Sequence, residues 1–115
     1  MAAKHTPGPW KEAAGAILTA DTSPDNPRPP VALLSTAWRS EQYVGNCCLI
    51  AAAPDLLAEL IAAHEIIVNA LRVMSSEQKR ALARLNEAAG IAGEGIARYC
   101  ERAAAIARAT DPAIL

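Results

Sequence analysis

The chain has 115 residues, 52% of them hydrophobic but only 3% aromatic, with no Phe and a formal charge of −1. That length fits one domain, and the lack of a basic surplus (pI near 6.1) excludes a general nucleic-acid binder, which must displace counterions. No apolar run reaches the roughly 18 residues of a membrane span, because Asp55, Glu59, His64 and Glu65 interrupt the best candidate. The N-terminus has no hydrophobic signal-peptide core, so a cytoplasmic protein without membrane contact is expected. Cys47, Cys48 and Cys100 are odd in number and include an adjacent pair. They read as reduced structural thiols, not as a disulfide framework or a zinc site.

The first element is the turn AKHTPGPW. Pro7 and Gly8 have the form of a type II turn, with positive φ at Gly8. Pro9 then keeps the chain extended and delivers Trp10 to a defined place. Trp10 reads as a lid over one end of a helical core, its indole N–H at the rim; an anchor for the terminus and a ligand-stacking role are the alternatives. Residues 15–20 and 31–36 are two short, partly β-branched apolar runs, separated by the loop DTSPDNPRPP. They predict an irregular β-hairpin, which needs helices to lie against.

Beyond Trp38 the pattern is helical. Asn46 is placed to cap a short helix over residues 47–52, and Pro54 with Asp55 to open the next one. Along residues 56–74, Leu57, Ile61, His64, Val68 and Leu71 form one apolar row, with Leu56, Leu60, Ala63, Ile67 and Met74 beside it. Ser75 and Gln78 have the form of a capping box. From there Leu82, Leu85, Ala89, Ala92, Ile96, Tyr99, Ala103 and Ile106 keep a three–four spacing through GIAGEG. Each glycine costs about 1 kcal/mol in a helix, so either the helix breaks at residues 90–95 or small residues there admit a close neighbour. The unbroken register favours a continuous or slightly bent helix. The short link at Ser75 and Ser76 makes the two long helices antiparallel.

The sum is an α+β, mostly helical single domain over residues 1–115. An N-terminal turn and β-hairpin occupy residues 1–40. A helical part follows over 41–115, with a helical hairpin over 54–109 whose alanine-rich seam is completed by another copy of the chain. Arg80, Arg84, Arg98 and Arg102 recur at helical spacing, with Glu87, Glu94 and Glu101 interleaved. They read as a solvated charged face or as a phosphate site on which Tyr99 or Trp10 stacks a base. With no carboxylate dyad, nucleophile–base–acid triad or P-loop, neither catalysis nor a cofactor or metal is expected.

Two resemblances add to this reading. HTPGPW, followed by Asn46-Cys47-Cys48-Leu49-Ile50-Ala51-Ala52-Ala53-Pro54-Asp55-Leu56-Leu57, resembles a widespread group of small tailed-phage and prophage proteins that carry HTPGPW and then a block similar to NAxLIAAAPDLL. It implies an origin and no mechanism. Residues 64–70, 80–88 and 96–98 are similar to the helical hairpin of phage sponges, which counter CBASS and Thoeris immunity by sequestering cyclic nucleotides or cyclic ADP-ribose signals within oligomers. The sponges usually carry a Met-Trp pair where this chain has Gly90-Ile91. The resemblance implies an oligomeric host-defence antagonist that sequesters a nucleotide signal without cleaving it. An inhibitor of a host defence protein (anti-CRISPR-like) and an accessory phage protein are the alternatives.

Overall fold

Gly8 meets Pro54 so closely that a Cβ on the glycine would stand 2.6 Å from the proline Cβ and 2.8 Å from its Cγ. The computed structural model describes residues 5–34 and 41–111. Over them the chain is α+β and mostly helical, with a three-stranded antiparallel sheet followed by three helices. It divides into two units, Met1–Ala58 and Glu59–Leu115.

In the N-terminal unit, strands β1 (Trp10–Ala13), β2 (Ala16–Thr19) and β3 (Ala32–Leu33) pair in that order. The predicted pairing of the two apolar runs holds, with Ala16 opposite Leu33 and Ile17 opposite Ala32; residues 35 and 36 lie outside the described range. β1 is an addition. It reaches β2 through a two-residue turn in which both Ala14 (φ 51°) and Gly15 (φ 87°) are left-handed, the backbone that suits the right-handed twist of a hairpin. As the central strand, β2 carries Ile17, which is wholly buried. The loop between β2 and β3 is exposed except at half-buried Thr22 and Val31 and is tied by Asp21–Arg28 at 3.3 Å.

The opening turn differs from expectation. Gly8 is not among the positive-φ glycines, and the Gly8–Pro9 peptide is cis. Glycine is required there for the close approach to Pro54. Trp10 starts β1, and its Nε1 donates to the carbonyls of Thr6 and Pro7 at 3.2 Å each. Its ring stands edge-on to His5, centroids 6.4 Å apart. The indole N–H that was expected at the rim of a helical core is bound instead by the residues just before it, as an anchor would be.

The helix expected to start at Pro54 starts earlier. α1 runs unbroken over Glu41–Val73 with Pro54 inside it, and Asn46 is an interior residue, not a cap. An interior proline removes one helix hydrogen bond and crowds the preceding turn. The stripe Tyr43, Cys47, Ile50 and Pro54, at steps of four, three and four, is the half-buried or buried face of this part of α1. Cys47 is 2% exposed, and a Cβ on Gly15 would collide with the Tyr43 hydroxyl. Turn, hairpin and helix are thereby held along one stripe. Continuity has a second consequence. Gln42–Val73 is by length and composition apolar enough to cross a membrane, with an 18-residue window of mean hydropathy 1.6, although Asp55, Glu59, His64 and Glu65 were expected to interrupt any such run.

In the C-terminal unit the rest of α1 is followed by α2 (Ser76–Ala88) and α3 (Tyr99–Thr110). The capping box is present: Gln78 N–H donates to Ser75 Oγ at 3.1 Å, and Ser75 N–H to Gln78 Oε1 at 2.8 Å. The continuous helix through residues 90–95 is not. α2 ends with Gly90 N–H on the Glu87 carbonyl and Ile91 N–H on that of Asn86. With Gly90 at φ 76° this is a Schellman stop, which needs a left-handed residue just past the helix. Gly93 (φ 148°), Gly95 (φ 70°) and Arg98 (φ 54°) keep residues 89–98 out of helical conformation.

Replacing Gly8 with Ala is expected to destabilise the protein by about 1–3 kcal/mol through overpacking on Pro54, read as a lower urea midpoint at unchanged slope. Ser75→Ala is expected to cost about 1 kcal/mol through loss of the cap, checked by the same unfolding curve.

Candidate functional site

Residues 89–98 lie between two helices without regular structure, so their carbonyls need water or side-chain partners. Three are found. Arg98 Nη1 donates to the Ala92 carbonyl, Asn86 Nδ2 to that of Ile96 at 2.6 Å, and Arg102 Nη1 to that of Ala97. In the other direction Glu94 N–H donates to Glu101 Oε2 at 3.0 Å, which also faces Arg98 Nη1 at 3.4 Å. Arg102 Nε donates to His64 Nδ1 on α1 at 3.2 Å. The His64 ring lies against Tyr99, centroids 4.9 Å apart and tilted by 43°.

Of the residues singled out by sequence, the structure therefore gathers Arg98, Tyr99 and Arg102 at the start of α3 and adds His64 to them. Arg80 and Arg84 are exposed on α2 and take no part in those contacts. Trp10 belongs to the N-terminal unit. His64 belongs to the predicted apolar row of α1; what brings it into the site is its place opposite Arg102 and Tyr99, a pairing that spacing cannot reveal. Two polar atoms in the cluster are buried without a hydrogen-bond partner, Arg102 Nη2 and Glu101 Oε1.

The electrostatics follow the same contacts. Glu101 lies below the usual carboxylate range because backbone N–H groups, its own and that of Glu94, bond its charged form; Arg98 and Arg102 add to this and burial opposes it. Burial, then the carboxylates of Glu94 and Glu101, push the Cys100 thiol up, so it is a poor nucleophile. An open groove runs beside α3, lined by Gly93, Glu94, Arg98, Cys100, Glu101 and Arg108 among others. Its charges are mixed in sign. A second hollow, in the N-terminal unit, is walled by Pro7, Gly8 and Pro9 and closed by the Asp21–Arg28 pair. Among the described residues no group of three or more His, Cys, Asp or Glu is placed to hold a metal ion.

Compared with known proteins, residues 1–113 match the family of Salmonella phage P22 protein Y8K6. The chain belongs to that phage protein family. No curated protein and no solved structure matches it. A phage protein is what the two sequence blocks implied, and the family covers both of the units described above.

Because the folded-state value of Glu101 lies below its unfolded one, its contribution to stability is full above the ordinary carboxylate range and fades as pH falls through the folded value. Glu101→Gln is expected to flatten the acid limb of the stability–pH curve while leaving its shape at neutral pH unchanged, measured by urea unfolding from pH 7 to 3.

Proposed function

We propose that this phage protein is a non-catalytic binding protein of the host cytoplasm, acting through protein–protein association: with copies of itself, and in that assembly with a component of host defence. One observation carries the reading. Among the described residues of Glu59–Leu115 none is buried, while Ile66 is 67%, Val73 83% and Leu85 68% exposed. Helices this apolar gain their stability from packing, and side chains of this size left open mark an association surface. Arginine placement supports the same choice over a small-molecule site. Arg98 and Arg102 are spent on loop carbonyls, Glu101 and His64, and Arg80 and Arg84 stand apart from them.

A second reading is sequestration of a nucleotide signal, of the cyclic oligonucleotide or cyclic ADP-ribose type, without cleavage. It is favoured by the start of α3, where two guanidinium groups, the rings of Tyr99 and His64, and a buried donor lacking an acceptor on Arg102 come together. Fork-shaped donors and stackable rings are what a nucleotide phosphate and base require.

Light scattering after size exclusion is expected to show a mass above one chain, with a melting temperature that rises with protein concentration. Ile66→Glu with Leu85→Glu is expected to yield a smaller species of unchanged helical circular dichroism. A folded wild-type monomer with concentration-independent melting would overturn the self-association. Co-flotation of wild type with lipid vesicles would assign the apolar α1 surface to a membrane instead. A melting screen against cyclic di- and trinucleotides and cyclic ADP-ribose isomers tests the second reading; a shift lost in Arg102→Ala supports it, and no shift across the panel removes it.

A further inference from the structure

We propose that residues 89–98 are fastened to α3 by an acid-sensitive clasp, in which His64 and Glu101 each hold one of the two arginines that hold the loop. Arg102 bonds the Ala97 carbonyl with one nitrogen and His64 Nδ1 with another. Arg98 bonds the Ala92 carbonyl and pairs with Glu101. Each arginine is thus positioned by one acceptor that can take up a proton. A guanidinium only donates, so His64 Nδ1 must carry a lone pair, with the ring proton on Nε2. Protonation leaves the imidazole two donors and no acceptor, and sets a positive charge against the Arg102 guanidinium 3.2 Å away. Protonation of Glu101 removes the charge that faces Arg98 and weakens the acceptor for the Glu94 N–H.

The surroundings offer the two groups different company. His64 faces Arg102 and Tyr99 from α3, while its neighbours one turn away on α1 are Leu60, Ile61, Ile67 and Val68, none of which titrates. Glu101 faces Arg98, Arg102, Glu94 and Cys100. α2 contributes the Asn86 amide to the Ile96 carbonyl, a bond indifferent to pH, which keeps one tether in place when the other two open. The backbone is at positive φ at positions 90, 93 and 95, a path that glycine takes without strain. In acid the loop therefore detaches from α3 while the helices remain, and the guanidinium groups of Arg98 and Arg102 are freed.

The test is a titration of the full-length protein from pH 8 to 3.5, followed by amide chemical shifts of residues 92–97 and by the His64 ring protons. In wild type the loop amides are expected to move in two phases, the first sharing its midpoint with the His64 ring. His64→Asn sets an amide oxygen near the place of Nδ1 and cannot be protonated in this range, so the first phase should vanish and the second remain. Glu101→Gln should do the reverse. Loop amides that stay still while the His64 ring titrates would overturn the proposal, as would a first phase unchanged in His64→Asn. Should either variant lose helical circular dichroism at pH 7.5, the wild-type comparison of ring and amide midpoints decides alone.

Discussion

The contact of Gly8 with Pro54 is the constraint on which the N-terminal unit depends. A Cβ at position 8 would fall well inside the contact distance of the proline ring, so the opening turn can lie on α1 only if residue 8 is glycine. The helix meets this approach at a place where it already lacks an N–H. From Pro54 the same helical face returns at Ile50, Cys47 and Tyr43, and the Tyr43 hydroxyl lies against Gly15 at the β1–β2 turn. One stripe of α1 thus sets where both the opening turn and the hairpin sit. The two sequence blocks that stand out by eye, HTPGPW and the segment through APDLL, are two sides of one contact.

In the C-terminal unit the governing problem is a different one, the satisfaction of backbone groups. The glycine-rich segment between α2 and α3 is not helical, and a loop of that kind leaves carbonyls that water or side chains must bond. Asn86, Arg98 and Arg102 fill that need. This changes what the arginines mean. A guanidinium beside a phosphate and a guanidinium beside a peptide carbonyl look identical in a sequence, since both call for arginine near the start of a helix. What separates them is whether the donors are already occupied, and here Arg98 Nη1 and Arg102 Nε and Nη1 are, while Arg102 Nη2 is not.

Much of the fold was legible because its signals are local. The two apolar runs, the exposed loop between them and the Ser75–Gln78 box each depend on residues near one another in sequence. β1 was not legible: Trp10-Lys11-Glu12-Ala13 has no alternating apolar face, and its turn uses an alanine at positive φ, which no residue preference announces. The continuity of α1 through Pro54 was hidden because proline is a good first-turn residue and a poor interior one, and the compensating contact comes from a glycine far away in the chain. The break after α2 is the opposite case. Gly90 just past a periodic segment is a helix-stop signal in plain view, and it was outvoted by an apolar period that carries on through the loop without a helix to carry it. Of the candidate site, Arg98, Tyr99 and Arg102 were visible as spacing; His64 required the fold.

That period is itself informative. Leu85 and Tyr99 keep the spacing of a seam but are 68% and 52% exposed, and Ile91 in the loop is 50% exposed, so much of their surface is left open within this chain even where Tyr99 meets the His64 ring. Ile61, Ile66 and Val73 on α1 are also open. Lipid and protein are the two media that could cover such a surface, and the polar residues among them separate the two. Glu59, Glu65 and Asn69 are exposed on the same stretch of α1, with carboxylates at depths where a bilayer would have to strip them of water. A protein surface accommodates them at little cost, since rim charges stay solvated while the apolar residues between them are covered. An apolar helix punctuated by exposed acids is therefore better suited to a protein partner, and the broken seam supplies the rest of the surface such a partner would cover.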